Sequence, residues 1–367
     1  MHAKMQTKLI LFGAGKIGDA ILNLLSHTGD YALTVVDRDA SRLAHVRAAG
    51  LPGVRCIEAD LSEPAVVARL LQGQAMTLSA CPYFITPVIA RAAKEAGVHY
   101  FDLTEDVNGT RIVKQLAEGA RTAFIPQCGL APGFISIVAN NLAQRFETLR
   151  DVQMRVGALP LYPSNALKYN LTWSTDGLIN EYCNPCEAIV DGSLRETSPL
   201  EEIEHFSLDG IDYEAFNTSG GLGSLCESLA GKVANLNYKT VRYPGHRDII
   251  KMLVRDLQLG QPERRHILRE VLEASIPITK QDVVLVFVSV VGMRGGRLEQ
   301  ESYAHKIYSQ RVNGELLSAI QLTTAAGICA MVDLLVEGKL PSQGLVRQEH
   351  TALADFLANR FGRYYAP

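Results

Sequence analysis

Over roughly the first third of the chain, short runs of β-branched and apolar residues alternate with segments whose apolar positions recur every three or four residues. Residues 9–12, 33–36, 54–57, 75–78, 98–101 and 123–125 read as strands. Between them Ile17, Ile21, Leu24 and Leu25, and later Ile89, Ala92, Ala93 and Ala96, mark the buried faces of helices. This alternation predicts βαβ units and a doubly wound parallel sheet. Past the turn at 129–133 the rhythm changes. A helical pattern starts at Phe134, and strand-like stretches follow at 152–156, 169–173, 188–190, 240–243, 283–291 and 303–308. They predict an α+β domain with an open, mixed sheet. From 322 to 336, and again from 349 to 361, the pattern is helical. The expected division is 1–131, 132–321, and a C-terminal segment 322–367 that packs back onto the first domain.

Composition narrows the class. The chain is 47% hydrophobic and 20% charged, the balance of an ordinary globular protein. Its net charge of −3 offers no basic surplus to neutralise phosphates, so nucleic acid is not expected as a partner. The longest apolar run, 283–291, holds one serine and is too short for a membrane span, and no secretory segment precedes the first strand. A soluble cytoplasmic protein is expected. Seven cysteines, odd in number and scattered, read as reduced thiols.

The sharpest local signal is Gly13-Ala14-Gly15-Lys16-Ile17-Gly18, between the first strand and the first helix. Glycines there permit a tight turn and let a pyrophosphate approach backbone N–H groups at a helix N-terminus. Nineteen residues beyond Gly18, at the end of the second strand, stands Asp37, a carboxylate of the kind that binds a ribose hydroxyl. Asp37 favours NAD by repelling a 2′-phosphate, while the adjacent Arg38 could attract that phosphate and so keeps NADP as the alternative. Ligands of open α/β sheets lie beyond the carboxyl ends of the strands, which brings in Ser79, Ala80 and Cys81, then Asp102, then the 129–133 loop.

In the second domain, polar groups crowd into Lys168, Tyr169 and Trp173, and into Arg242, Tyr243 and His246. An arginine offers a bidentate clamp for a substrate carboxylate, and histidine titrates in the range useful for proton transfer. Cys183 and Cys186 form a lone CxxC without a second pair or a histidine pair, so no metal site is expected.

Taken in order, Phe12 to Gly18, Tyr100-Phe101-Asp102, Gly129-Leu130-Ala131-Pro132-Gly133, Trp173-Ser174 with Gly177 to Tyr182, Arg242 to His246, and Thr323-Thr324 resemble the saccharopine dehydrogenase and lysine 6-dehydrogenase family over nearly the whole chain. The resemblance implies a Rossmann domain, a second domain whose open sheet makes a homodimer, and a C-terminal return. It also implies hydride transfer between a nicotinamide and an amine-bearing carbon of an amino-acid substrate. Saccharopine-forming members usually carry an acid in the 129–133 loop, where this chain has Ala131, which leans toward lysine 6-dehydrogenase. On that basis Asp102 or His246 is the expected proton carrier and Arg242 the carboxylate clamp. Lys168 and Tyr169 are expected to position the substrate, with Trp173 and Tyr243 as pocket walls. An opine-type reductase, with Arg155, Lys239 or Arg247 holding a second carboxylate, is the alternative, and a nonenzymatic NAD-binding regulator the alternative from another class.

Overall fold

The computed structural model describes residues 6–366, which divide into two units. The first comprises the chain to Leu130, Arg311–Leu317 and Gln321–Ala366; the second comprises Ala131–Gln310 and Ser318–Ile320.

The first unit begins β1 (Thr7–Phe12), α1 (Lys16–Ser26), β2 (Tyr31–Asp37), α2 (Ala40–Ala48), β3 (Val54–Glu58), α3 (Pro64–Leu71) and β4 (Met76–Ser79). It continues with α4 (Thr86–Ala96), β5 (His99–Asp102), α5 (Val107–Ala117) and β6 (Ala123–Ile125). All six strands are parallel, as the alternating pattern requires. Leu9 to Phe12 are buried on both faces of the sheet. On one face Ile10, Phe12, Val36, Tyr100 and Phe124 pack with Val67, Leu71, Ile89, Ala93 and Val113 from α3, α4 and α5.

The second unit opens with α6 (Phe134–Ala143), β7 (Thr148–Pro160), α7 (Thr175–Cys183), β8 (Cys186–Val190), β9 (Ser193–Thr197), β10 (Glu204–Leu208) and β11 (Ile211–Asn217). Then come α8 (Leu225–Ser228), β12 (Val233–Arg242), α9 (His246–Lys251), α10 (Arg265–Ser275), β13 (Asp282–Arg294) and β14 (Arg297–Tyr308). The sheet runs β10-β11-β12-β7-β13-β14, with the β8–β9 hairpin attached to β12. Only β12 and β7 are parallel neighbours, so the sheet is mixed and open.

Two expectations change here. Residues 169–173 form no strand: Lys168 adopts a left-handed backbone (φ 51), the Asn165 side chain clamps Tyr169, and Leu171 N–H donates to the Pro277 carbonyl. The β9, β10 and β11 strands went unpredicted: β9 is largely exposed with Leu194 its one apolar residue, β10 carries only Phe206 and Leu208, and Glu214 interrupts the apolar part of β11.

The chain then re-enters the first unit through the hairpin β15 (Gln310–Val312) and β16 (Glu315–Leu317) and the helix α11 (Ala319–Val336). By length and composition α11 could cross a membrane, with mean hydropathy 1.8, and it exceeds the 283–291 run flagged in the sequence. It is 78% buried, the position of a core helix. Asp333 on α11 accepts from Tyr31 on β2 and pairs with Arg360, and the final strand β17 (Gly344–Leu345) lies parallel beside β6.

One face of the second sheet carries a buried charge cluster. Arg155 on β7 and Lys239 on β12 sit in register, and both reach Glu204: Arg155 through Nε and Nη2 at 2.9 and 2.8 Å, Lys239 at 2.7 Å. Removing the carboxylate leaves two buried cations without it. Glu204→Ala is therefore expected to lower unfolding free energy by about 2 kcal/mol, discounted because the carboxylate is partly solvated. Urea denaturation of the two proteins checks this, and an unchanged midpoint would contradict it.

Candidate active site

The Gly13 to Gly18 segment is shaped by contacts that exclude side chains. Gly13 has φ 102, and a Cβ on it would lie 2.7 Å from the Ala80 carbonyl; one on Gly18 would lie 2.1 Å from the Gly13 carbonyl. Gly15 faces open space, with the Arg42 guanidinium its nearest neighbour. No side chain caps α1 at Gly15, the arrangement an anionic ligand completes. Lys16 and Ile17 form the first turn, exposed and half-buried. Asp37, at the end of β2, is buried and holds the loop: Oδ2 accepts from Ala14 N–H at 2.8 Å and Oδ1 from Asp39 N–H at 2.9 Å. Ser79 and Ala80 close the floor at the end of β4, and Ala80 N–H donates to the Phe12 carbonyl. Burial pushes the Cys81 thiol up to about 12, so it stays protonated and takes no nucleophilic part. These residues fit a dinucleotide: a glycine cradle that a Cβ would fill, an uncapped helix start, and a ribose-facing carboxylate.

Arg38 is exposed just beyond Asp37, and its charge adds weakly to the Ser62 hydrogen bonds that hold the Asp60 carboxyl below its usual range. A second basic group, Arg42 on α2, has its guanidinium 3.7 Å from Asp37 Oδ2.

Asp102 is completely buried at the end of β5. Its Oδ1 accepts from Gln127 N–H at 2.8 Å and Thr104 N–H at 3.1 Å, and its Oδ2 from the Tyr100 hydroxyl at 2.9 Å. Burial lifts its pKa to about 6 against the opposing pull of these donors. The carboxyl ties the β5 and β6 loops together, a different task from the substrate proton transfer expected of it.

In the second unit the functional groups converge on Arg242, which is 3% exposed at the end of β12. Its Nε donates to the Tyr182 hydroxyl at 3.0 Å and its Nη1 to the Val241 carbonyl at 2.9 Å, and the guanidinium lies 4.8 Å from the Tyr169 ring centroid. Nη2 makes no hydrogen bond among the described residues. Tyr182 and His246 Nε2 are 3.0 Å apart, and His246 Nδ1 is 2.9 Å from the Leu167 carbonyl. A carbonyl only accepts, so Nδ1 carries the proton and Nε2 accepts from Tyr182. The chain of donors thus runs Arg242 to Tyr182 to His246 to Leu167. Burial, reinforced by the Arg242 charge, lowers the His246 pKa to about 3 and keeps the ring neutral. With both nitrogens bonded and the ring buried, the neutral His246 is held as a positioning group for Tyr182 and Arg242, where the sequence nominated it to carry the substrate proton.

Other predicted residues separate. Tyr169 receives a hydrogen bond from Trp173 Nε1 at 3.2 Å, and both belong to the Arg242 cluster. Tyr243, the next residue along, falls on the other side: its ring stacks on Tyr213 and its hydroxyl donates to the Pro160 carbonyl, so it is no wall of this pocket. Lys168 is exposed and its ammonium donates to the Pro244 carbonyl, bracing a loop. Sequence reasoning missed Tyr182 and Glu181, buried on α7 beside Arg242, and Glu214, whose carboxylate accepts from Gly245 and Arg247 N–H at the start of α9. An acid set directly between Tyr213 and Ala215-Phe216 was the available signal for Glu214.

The glycine cradle of the first unit fits a dinucleotide, and the buried Arg242 of the second fits an anionic group. The chain belongs to the saccharopine dehydrogenase family: residues 9–124 match its NADP binding domain and residues 129–362 its C-terminal domain. It is accordingly an NAD(P)-dependent enzyme. Among curated relatives, the mitochondrial alpha-aminoadipic semialdehyde synthases of Mus musculus and Rattus norvegicus are 20% and 19% identical over 270 and 267 residues. Those alignments cover 68% of this chain but 28% of the relatives, so the chain spans little more than a quarter of their length. Apo saccharopine dehydrogenase (L-Glu forming) from Saccharomyces cerevisiae shares the fold, with a TM-score of 0.77 at 16% identity over 96% of this chain and 97% of that one.

Two outcomes test the geometry. His246→Ala removes the acceptor for Tyr182 and frees Arg242, so KM for the carboxylate substrate is expected to rise about tenfold with kcat changed far less; steady-state kinetics would show a kcat loss instead if His246 moved protons. Asp102 has a folded pKa raised above its unfolded value, so its stabilising contribution is complete below about pH 4 and lost as pH rises through 6. The unfolding free energy of wild type relative to Asp102→Asn is expected to fall by about 3 kcal/mol across that window in chemical denaturation series.

Proposed function

We propose that this chain is an amino-acid dehydrogenase that oxidises an amine remote from the α-carboxylate, with the ε-amine of lysine as the preferred substrate. The observation that carries the proposal is Arg242, a buried, rigidly held guanidinium with one terminal nitrogen left for a ligand carboxylate. The bound coenzyme supplies the hydride acceptor that turns CH–NH2 into an imine. Arg242 anchors the carboxylate, Tyr182 and His246 hold Arg242 in place, and Tyr169 with Trp173 form an aromatic wall that excludes water. Asp102 keeps the β5 and β6 loops stiff.

A saccharopine or other opine substrate would need a second carboxylate clamp. Of the three donors nominated for it, Arg155 and Lys239 are committed to Glu204 and its neighbours, while Arg247 lies 3.2 Å from Asp248 with its Nε buried and without a hydrogen bond. Ala131 likewise replaces the acid of the saccharopine-forming pattern with a methyl group. Both features support the smaller substrate with a single carboxylate. Cytoplasmic location and a homodimer through the open sheet complete the proposal; they rest on composition and on the resemblance, and neither nucleic acid nor membrane is part of it.

The test is NADH or NADPH formation from L-lysine, saccharopine and ornithine at alkaline pH, followed at the nicotinamide absorbance band. L-Lysine is expected to be turned over and saccharopine left untouched, and the reverse would overturn the proposal. Arg242→Ala is expected to lower kcat/KM for lysine by about a hundredfold, mostly through KM. A simple alkylamine lacking the carboxylate should lose far less.

A further inference from the structure

The acids and bases around the ribose end of the cradle are arranged unevenly. Asp37 and Asp39 lie close together at the end of β2, and Asp19 stands in the first turn of α1. A 2′-phosphate brings about two further negative charges to this neighbourhood. Unless a cation meets it, Asp37 repels it and the site takes NAD alone.

Arg42 is placed to be that cation. Its Nη1 is 3.7 Å from Asp37 Oδ2, its Nε is 3.5 Å from Asp39 Oδ2, and Nη1 is the nearest atom to a Cβ built on Gly15, at 3.8 Å. The guanidinium therefore stands between the ribose-facing carboxylate and the open side of the glycine cradle. None of its guanidinium donors makes a hydrogen bond among the described residues, and its side chain is 55% exposed, so it can swing without disturbing packing. Other anion holders nearby are in part taken. His45 faces Asp19 at 3.8 Å, the first N–H groups of α2 are taken by the Asp39 carboxylate, which accepts from Ser41 and Arg42, and the exposed Arg38 is the competing cation that the test below includes.

We infer that Arg42 sets coenzyme choice in this chain, serving two states. With NAD it rests against Asp37 and Asp39, offsetting their charge while Asp37 reads the ribose hydroxyl. With NADP it turns to the 2′-phosphate with its planar fork of donors, and the protein accepts both coenzymes. The inference rests on the dinucleotide assignment of the glycine cradle and adds to it the residue that discriminates.

The experiment is equilibrium binding of NADH and NADPH, read by nicotinamide fluorescence, to wild type, Arg42→Ala, Arg42→Lys and Arg47→Ala. Arg47→Ala removes the same charge from the last turn of the same helix. Wild type is expected to bind both. Arg42→Ala should weaken NADPH by about tenfold to a hundredfold while NADH changes by less than about threefold. Arg42→Lys should recover part of the NADPH affinity, and Arg47→Ala should leave the ratio in place. Calorimetry with 2′,5′-ADP and 5′-AMP repeats the comparison without the nicotinamide. Equal losses for both coenzymes in Arg42→Ala, no loss for either, a wild type that binds NADH alone, or a ratio that shifts in Arg38→Ala would each overturn the inference. A wild type that binds neither coenzyme would overturn the dinucleotide assignment itself, an outcome distinct from all of these.

Discussion

The second unit is organised around the burial of one guanidinium. Taking an arginine out of water costs several kcal/mol unless its donors are met and its charge is balanced. Around Arg242 a tyrosine hydroxyl and a main-chain carbonyl meet Nε and Nη1, an aromatic face and the nearby Glu181 carboxylate offset the charge, and Tyr182 is in turn fixed by His246. The same charge, added to burial, keeps His246 neutral, and neutrality makes its Nε2 an acceptor for Tyr182. Each member therefore depends on the others. Glu214 adds the last piece by capping the helix on which His246 sits, so the ring enters the cluster at a fixed angle.

A related logic governs the carboxylates of the first unit. Asp37 and Asp102 end their strands and accept main-chain N–H groups from their own and a neighbouring loop, Ala14 with Asp39 and Gln127 with Thr104, while Asp106 caps α5 by accepting from Gly109 N–H. Loops at the carboxyl edge of a parallel sheet leave main-chain donors without ladder partners, and a short acidic side chain is an economical acceptor. Acids that look reactive in the sequence are thereby partly employed in holding the rim rigid, which is what a coenzyme cradle and a hydride path require.

How much of this could be read from residues alone follows from where information lies along the chain. The six parallel strands of the first unit were legible because burial on both faces writes continuous apolar runs, and the glycine cradle because a tight turn demands its residues at fixed spacing. The stretch 169–173 misled because its apolar and aromatic residues face the Arg242 cluster from an irregular segment held by Asn165 and Pro277. Tyr182 and Arg242 are 60 residues apart, and nothing local to either announces the other. Tyr243 was misassigned because adjacent residues at a strand end point to opposite sides. Arg42 drew no notice because it stands five residues past Asp37, and only the start of α2 at Ala40 brings its guanidinium within 3.7 Å of the Asp37 carboxylate.

The order in which the first unit receives its parts differs from the order of its sheet. Its seventh strand, Gly344–Leu345, and the Asp333–Arg360 pairing with Tyr31 arrive only after the entire second unit has been threaded through the chain. During synthesis, therefore, the edge of β6 emerges long before its neighbour exists, and the inserted unit has all its strands available first. Until the tail is made, the nascent nucleotide-binding half presents an unpaired parallel edge to the cell, the kind of surface that attracts chaperones and that a ribosome stalled late in the message would leave exposed.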